Sequence, residues 1–204
     1  MNSRAAKISL LVILGVIFLF GVAMLFHPVR RDVRVTIQVA LAHLSSPANE
    51  PFPDIKGNLT PLQQRIVTLA KQEYTKKPIS YDQNVLRYTQ VSKEAWCADY
   101  VSWVYNQAGV PLKNPNSGSW RIPGTYTLQA YFQAKHAYRP VGTYRPKVGD
   151  VAIYGHGQGH AAIVLGVNGN NITTIGGNES GRLRIDMRPQ TGKNSYDLLG
   201  YGVL

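Results

Sequence analysis

A helical pattern runs through Trp96-Cys97-Ala98-Asp99-Tyr100-Val101-Ser102-Trp103-Val104-Tyr105, the segment that also carries the only cysteine of the chain. Its apolar residues recur at helical spacing and Gly109-Val110-Pro111 follows as a stop signal, so we predict a helix over about residues 94–108. A thiol in the first turn of a helix is favourably placed for nucleophilic chemistry, because the helix N-terminus stabilises the thiolate. The ordinary role of a lone cysteine is a small buried residue, so other residues must decide between the two roles.

Short apolar segments separated by Gly and Asn turns occupy the chain from Val148 onward, which is typical of an antiparallel sheet. We predict five strands, at residues 148–154, 160–167, 171–176, 182–188 and 200–204. An earlier helix begins at Thr60-Pro61-Leu62-Gln63, where a capping box coincides with a proline at the first helical position, and its apolar stripe extends to about Tyr74. Helices followed by strands predict an α+β fold.

The thiol of Cys97 needs a histidine partner, because a helix N-terminus supplies at most about 2 kcal/mol, or roughly 1.5 pKa units. A thiolate–imidazolium pair supplies the rest. His160 opens the apolar strand Gly159-His160-Ala161-Ala162-Ile163-Val164, so the sheet would fix its position. The other histidines lie near the N-terminus, in a connecting segment or in a Gly-rich loop: His27, His43, His136 and His156. We predict that Cys97 is the nucleophile and His160 the general base, with a hydrogen-bonded structural histidine as the alternative.

A third residue is expected to orient the His160 ring from the neighbouring strand. If residues 168–170 form a three-residue hairpin loop, Ile163 faces Ile175 in the core and His160 faces Asn178. The match of two core isoleucines favours this register. We therefore predict Asn178 as the orienting residue.

Other loop lengths select other partners for His160. A two-residue loop would place Gly177 opposite the histidine, and a four-residue loop would place Glu179 there. Glu179 is therefore the reserve orienting residue. The alternative role for Asn178 is that of a turn residue, because Asn tolerates left-handed backbone geometry.

The chain is basic: Lys and Arg outnumber Asp and Glu by 22 to 11 among 204 residues, which gives a net charge of +11. This balance favours an anionic partner, either a cell-wall polymer or a lipid surface. We expect no nucleic-acid partner, since no basic motif with interleaved aromatic residues is present. One cysteine excludes a disulfide framework and a multi-cysteine metal site. With no cluster of metal-ligating residues in the sequence, we expect neither a metal nor another cofactor.

Residues 8–26 form an uncharged apolar run that spans about 28 Å as a helix, close to the hydrocarbon thickness of a bilayer. We predict an uncleaved transmembrane anchor there, with a cleaved signal peptide as the alternative. The anchor separates a short tail, residues 1–7, from an amphipathic stalk and Pro-rich linker, residues 27–59. Basic residues flank both ends of the run, so its orientation is inferred from function. The folded domain is predicted over residues 60–204.

Several blocks of this domain, taken in order, resemble the CHAP domain, the cysteine, histidine-dependent amidohydrolase/peptidase family of papain-like fold. The blocks are Trp96 to Tyr105, Ala108-Gly109-Val110-Pro111, Trp120-Arg121-Ile122, Pro146-Lys147-Val148-Gly149-Asp150-Val151, Gly159 to Val164, and Thr174-Ile175-Gly176-Gly177-Asn178. The resemblance extends over about residues 60–204. It implies N-terminal helices packed on a five- to six-stranded antiparallel sheet.

The resemblance also implies a substrate and a site. The substrate would be bacterial peptidoglycan, cleaved at the N-acetylmuramoyl–L-alanine amide or at a peptide bond of the stem or cross-bridge. Cys97 and His160 match the family's nucleophile and base, and Asn178 is left as the orienting residue. Many members carry a Glu two residues before this Asn, where Gly176 stands here. Two aromatic side chains are candidates for a substrate groove: Tyr88 and Trp120.

We therefore expect a single-pass plasma-membrane protein whose catalytic domain hydrolyses peptidoglycan outside the cytoplasm. Two other hypotheses stay open. One is a catalytically weak or silent module that binds the wall or acts as a scaffold, suggested by Gly176 in place of an acid. The other is an amidase that acts on a substrate outside the wall.

Overall fold

The computed structural model describes residues 51–78, 80, 82–90, 94–191 and 196–203. The predicted tail and membrane anchor, and the stalk up to residue 50, lie outside the described residues. Within the described part of the chain, no helix is both long enough and apolar enough to cross a bilayer.

Four helices occur in the described residues: α1 Pro61–Thr75, α2 Gln83–Thr89, α3 Cys97–Gln107 and α4 Thr125–Ala134. The predicted capping box is present at α1, where Thr60 and Gln63 exchange hydrogen bonds between side chain and backbone. The helix α3 ends just before Gly109, whose φ of +83° is a conformation that other residues rarely adopt. The short helices α2 and α4 were not predicted.

Six antiparallel strands form one sheet: β1 Tyr138–Pro140, β2 Val151–Tyr154, β3 His160–Asn168, β4 Asn171–Glu179, β5 Arg182–Pro189 and β6 Leu198–Gly202. Their order across the sheet is β1-β6-β2-β3-β4-β5. The α+β class and the antiparallel sheet are thus confirmed. The predicted strands correspond to β2 through β6, and the three-residue β1 was missed.

The hairpin of β3 and β4 has the predicted core register but a different loop. Ile163 pairs with Ile175, as expected. Near the loop, however, Asn168 pairs with Asn171, so the connection has two residues rather than three. A bulge after Val164 shifts the register by one residue and restores the predicted pairing further along. The prediction of a three-residue loop was therefore wrong, although the isoleucine pair was right.

The main core lies between α3 and the sheet. Alternate residues of β3, namely Ala161, Ile163 and Leu165, are buried in the same cluster as the apolar face of α3. Ala162 and Val164 belong to a smaller cluster on the opposite face. Because α3 packs on β3 and β4, its N-terminal residue is brought to the end of the sheet where β3 begins.

Candidate active site

The helix α3 begins at Cys97 itself. Trp96 occupies the capping position but makes no side-chain capping hydrogen bond. The backbone N–H groups of the first turn have no acceptor within the helix, so they are available to another group. The Cys97 residue is 6% exposed, so it is buried, and it reaches solvent only where it lines a cleft.

Three groups surround the Cys97 thiol: the side chain of His160, the backbone N–H of Ala161 and the hydroxyl of Thr125. The sulfur lies 3.7 Å from Oγ1 of Thr125. Burial raises the pKa of the Cys97 thiol, but the hydrogen bond and charge of His160, together with the other two donors, outweigh burial and lower the pKa. The surroundings therefore stabilise the thiolate.

The imidazole of His160 lies between Cys97 and Glu179. Its Nε2 is 3.1 Å from Oε1 of Glu179. Burial lowers the pKa of His160, whereas hydrogen bonds to Cys97 and to Glu179 raise it, and the net result is a pKa above the ordinary value of 6.5. A lowered thiol pKa beside a raised imidazole pKa favours a thiolate–imidazolium pair at neutral pH.

Among the described residues, no hydrogen bond joins Asn178 to His160. Its Oδ1 accepts a hydrogen bond from Oγ of Ser80 at 3.3 Å, and that hydroxyl in turn accepts one from Nε1 of Trp96 at 2.8 Å. Its φ of +60° is left-handed, which is the turn geometry considered as its alternative role. A bulge in β4 directly before Glu179 carries the Glu179 side chain to the imidazole instead. The predicted contact of Asn178 with His160 is thus corrected in favour of the reserve residue.

The two glycines before Asn178 make room for different neighbours. A Cβ at Gly176 would overlap the Glu179 carboxylate and lie 2.6 Å from Nε2 of His160. A Cβ at Gly177 would lie 2.6 Å from the buried ring of Trp96. Gly176 therefore opens the space that the Glu179 carboxylate occupies. An acid reaches the imidazole from a position three residues later than the one the family resemblance suggested.

The thiol, imidazole and carboxylate open onto one cleft of about 480 Å³. The Gly-rich loop 156–159 forms one wall, and β4 and β5 form the other. Further lining residues are Tyr154, Thr174, Arg184, Asp186, Arg188 and Tyr196. A larger concavity of about 930 Å³ lies near the start of α1 and contains none of these chemical groups, so volume alone does not identify the site. No three His, Cys, Asp or Glu side chains of the described residues are arranged to hold a metal ion.

Comparison with protein families agrees with this geometry. Residues 88–178 match the family model described as CHAP domain. This segment is a CHAP domain. The match includes Cys97 and His160 and ends one residue before Glu179. A CHAP domain indicates a hydrolase of the amidase or peptidase type with peptidoglycan as its substrate. No curated protein matches the chain.

Neither of the two aromatic residues predicted to line the substrate groove is among the residues that line the cleft at the catalytic groups. Tyr88 is completely buried and donates a hydrogen bond from its hydroxyl to Glu73, with an O···O distance of 2.5 Å. Trp120 is half-buried, packs against the main core and is not among the residues that line the cleft. Sequence alone does not separate the two roles, because aromatic side chains suit core packing and ligand contacts equally well.

Two contacts of the CHAP thiol were missed from sequence. The N–H of Ala161 adjoins the thiol because it follows His160 directly on β3, and this contact was available from the predicted strand. Thr125 begins α4, a helix without a recognisable start signal in the sequence. Its approach to Cys97 depends on tertiary packing, so no local pattern indicates it.

Proposed function

We propose that the CHAP domain hydrolyses an amide bond of peptidoglycan, with Cys97 as nucleophile and His160 as general base and acid. Glu179 orients the imidazole and stabilises its charge. The bond is either the N-acetylmuramoyl–L-alanine amide or a peptide bond of the stem or cross-bridge. The observation that carries the proposal is the interaction of the Cys97 thiol with an imidazole whose Nε2 lies 3.1 Å from the Glu179 carboxylate.

The reaction follows from the placement of the protons. The Cys97 thiolate attacks the scissile carbonyl carbon while the proton that it lost resides on Nδ1 of His160. Collapse of the tetrahedral intermediate breaks the C–N bond, and His160 gives this proton to the leaving amine. The thioester is then attacked by water, whose proton His160 accepts. Release of the carboxylic acid product regenerates the thiolate and the protonated imidazole.

The negative charge that develops on the carbonyl oxygen requires hydrogen-bond donors. The backbone N–H of Cys97 is one, because it belongs to the first turn of α3 and has no acceptor within the helix. The N–H of Ala161 and the Thr125 hydroxyl face the sulfur instead. Their role is to hold the thiolate in place until it attacks.

A catalytically weak or silent wall-binding module was considered because Gly176 replaces an acid. Glu179 now supplies a carboxylate to His160 at 3.1 Å, so this hypothesis loses the observation that motivated it. An amidase with a substrate outside the wall differs in substrate and not in chemistry. The fragments released from peptidoglycan distinguish it from the proposed function.

The test compares the full-length protein, purified in a mild detergent, with its Cys97→Ala variant on purified peptidoglycan. We expect the unaltered protein to release soluble fragments, and Cys97→Ala to be at least about 1000-fold slower. The masses of the released fragments identify the cleaved bond, since an amidase frees the amine of L-alanine and an endopeptidase leaves it blocked. The role of His160 is tested in the same way with His160→Gln. Its matched control is His136→Gln, because His136 is exposed and distant in sequence from the site. Absence of fragments, or equal release by Cys97→Ala, contradicts the proposal.

We also propose that residues 8–26 anchor the chain in the plasma membrane with the CHAP domain on the outer side, where peptidoglycan lies. The uncharged run supports the anchor, and the net charge of +11 favours contact with anionic wall polymers or lipid headgroups. We expect the protein to remain in the membrane fraction after alkaline extraction, and protease added to intact spheroplasts to digest the CHAP domain. Recovery in the soluble fraction, or protection from protease, contradicts this part of the proposal.

A further inference from the structure

The cleft beside the catalytic groups contains a cation whose charge is not balanced by a neighbour. Two described carboxylates line this cleft, and each is already paired. Glu179 faces His160, and Asp186 forms an ion pair with Arg188. Among the described residues, no ion pair or hydrogen bond involves Arg184, which is exposed and lines the same cleft. The cleft therefore has a positively charged position open to a ligand.

The strand register places Arg184 on the same side of the sheet as the imidazole. Gly176 on β4 is the cross-strand partner of Arg184 on β5. A Cβ at Gly176 would point at His160 and Glu179. Since directly paired residues of antiparallel strands project from the same face, the Arg184 side chain also projects toward this face. Gly176 has no side chain of its own, and the space beside it holds the Glu179 carboxylate and the His160 ring, so Arg184 projects next to the catalytic groups.

Arg188, the other cationic residue of β5 in the cleft, is engaged differently. Its guanidinium is bonded to Asp186 and lies 4.6 Å from the ring centre of Tyr196. Its charge is compensated and its position is fixed by the aromatic ring. It therefore forms part of the wall, whereas the guanidinium of Arg184 is left to bind a ligand.

We propose that Arg184 binds a free carboxylate of the substrate peptide and selects substrates that carry one close to the scissile amide. This inference rests on the proposed function and names the substrate class for the same site. Stem peptides of peptidoglycan contain such carboxylates, and guanidinium groups bind them with two parallel hydrogen bonds. Cross-strand Cβ atoms are about 5 Å apart and an extended peptide advances about 3.4 Å per residue. The bound carboxylate thus lies roughly one to three residues from the cleaved bond.

The experiment uses two matched pairs of synthetic muropeptides with the full-length protein. One pair has D-glutamate with a free α-carboxylate or its D-isoglutamine form, and the other has a C-terminal acid or its amide. The affinity of each peptide is measured on the Cys97→Ala background, and kcat/KM on the active protein. Arg184→Gln is compared with Arg145→Gln, which removes one charge from an exposed arginine outside the cleft. Arg184→Lys tests whether charge without the planar guanidinium is sufficient.

For at least one pair, we expect the acid to bind at least about 10-fold more tightly than the amide. Arg184→Gln should abolish this preference and leave the affinity for the amide unchanged. Arg184→Lys should retain part of the preference, and Arg145→Gln should retain all of it. Equal binding of acid and amide in both pairs, or a preference that survives Arg184→Gln, overturns the inference. Loss of hydrolysis with the binding preference intact would contradict the proposed function and leave the carboxylate site standing. Hydrolysis with no preference for the acid over the amide would contradict the carboxylate site and leave the proposed function standing.

Discussion

Glu73 and Glu179 each contact an ionisable side chain, and they differ in their access to solvent and in the number of their partners. The Glu73 side chain is 2% exposed, whereas that of Glu179 is 18% exposed and faces the cleft. Three side chains hold Glu73: Lys76, Arg87 and Tyr88. Glu179 is directed at one imidazole, that of His160. Both are glutamate carboxylates of the same α+β domain, so the difference in their roles comes from their surroundings and not from the side chain itself.

The comparison shows how burial assigns roles to identical groups. Burial and the neighbouring Glu73 raise the pKa of Tyr88 far above the range in which it could exchange a proton. That cluster therefore serves packing and pairing. Glu179 instead raises the pKa of a histidine that also contacts a thiol, in a place that a substrate can reach. Substitutions at the two positions should therefore have opposite consequences for stability and for activity.

The largest effect is expected for Glu73→Ala. The change leaves the buried Tyr88 hydroxyl without its acceptor and breaks two ion pairs, so the free energy of unfolding should fall by about 3 kcal/mol. The activity per folded molecule should not change. Urea unfolding, monitored by tryptophan fluorescence, measures the free energy of unfolding. Peptidoglycan hydrolysis at urea concentrations below the unfolding transition measures the activity. Asp54→Ala, at an exposed carboxylate, is the control. A loss below about 1 kcal/mol would remove the structural role given to Glu73.

Next in size is the effect of Glu179→Gln on catalysis. Removal of the carboxylate charge leaves the imidazolium less stabilised, so kcat/KM should fall about 100-fold, while the urea midpoint stays nearly constant. Asp54→Asn gives the same charge change at an exposed site. An activity loss below about 3-fold would show that His160 does not depend on Glu179.

A smaller and more diagnostic effect is expected at the paired glycines. Gly176→Ala pushes against the ends of the Glu179 and His160 side chains, so activity should fall about 10-fold with little change in stability. Gly177→Ala meets the buried Trp96 ring, so stability should fall by about 1–3 kcal/mol. Gly166→Ala, where a Cβ meets nothing within 4 Å, is the control for both. If Gly176→Ala and Gly177→Ala lowered stability equally, the two glycines would not have separate roles.

The pH dependence of kcat/KM should separate the two carboxylates further. Activity should rise as Cys97 ionises, at a pH lowered by His160, and fall as His160 loses its proton, at a pH raised by Cys97 and Glu179. Glu179→Gln removes one stabiliser of the imidazolium, so the descending limb should move to lower pH. Glu73→Gln should leave both limbs in place. Thiol alkylation rates against pH provide a second readout, and a descending limb that stays fixed or rises in Glu179→Gln contradicts the assignment.

The same raised pKa contributes to folding stability in a defined window. Because folded His160 binds its proton more tightly than the unfolded chain does, the contribution is full below the ordinary value of 6.5 and is lost as pH rises through the raised pKa. The lowered pKa of Cys97 contributes in the opposite direction, so the profile is measured on the Cys97→Ala background, where Glu179 still raises the pKa of His160 and His160→Gln should remove the pH dependence. Urea unfolding between pH 5 and 10 measures it, with His136→Gln as the control, and an unchanged profile in His160→Gln would contradict the raised pKa.

The parts of the fold that depend on local pattern were predictable from sequence. The capping box at Thr60, the helix that starts near Cys97 and the strand that opens at His160 all follow from periodicity and turn residues. The strand order could not be obtained in this way, because β6 enters the sheet between β1 and β2 through contacts distant in sequence.

The error at Asn178 has a physical cause. The predicted register assumed uninterrupted pairing, but bulges occur in both β3 and β4. The first compensated for the wrong loop length, so the pairing of Ile163 with Ile175 was right. The second moved Glu179 onto His160. Consecutive glycines inside a strand are a signal of such a bulge, although they do not indicate which following side chain it redirects.

The smallest effect is expected for Asn178, and it decides whether the correction is right. Asn178→Gly suits the left-handed backbone and loses one hydrogen bond to Ser80, so stability should fall by about 1 kcal/mol or less and kcat/KM by less than about 3-fold. Asn178→Ala should cost more stability than Asn178→Gly, since alanine is strained at a φ of +60°. An orienting residue would behave differently: both variants would lose as much activity as Glu179→Gln and would shift the descending pH limb. Such a result would return the orienting role to Asn178 and make Glu179 a surface carboxylate beside the site.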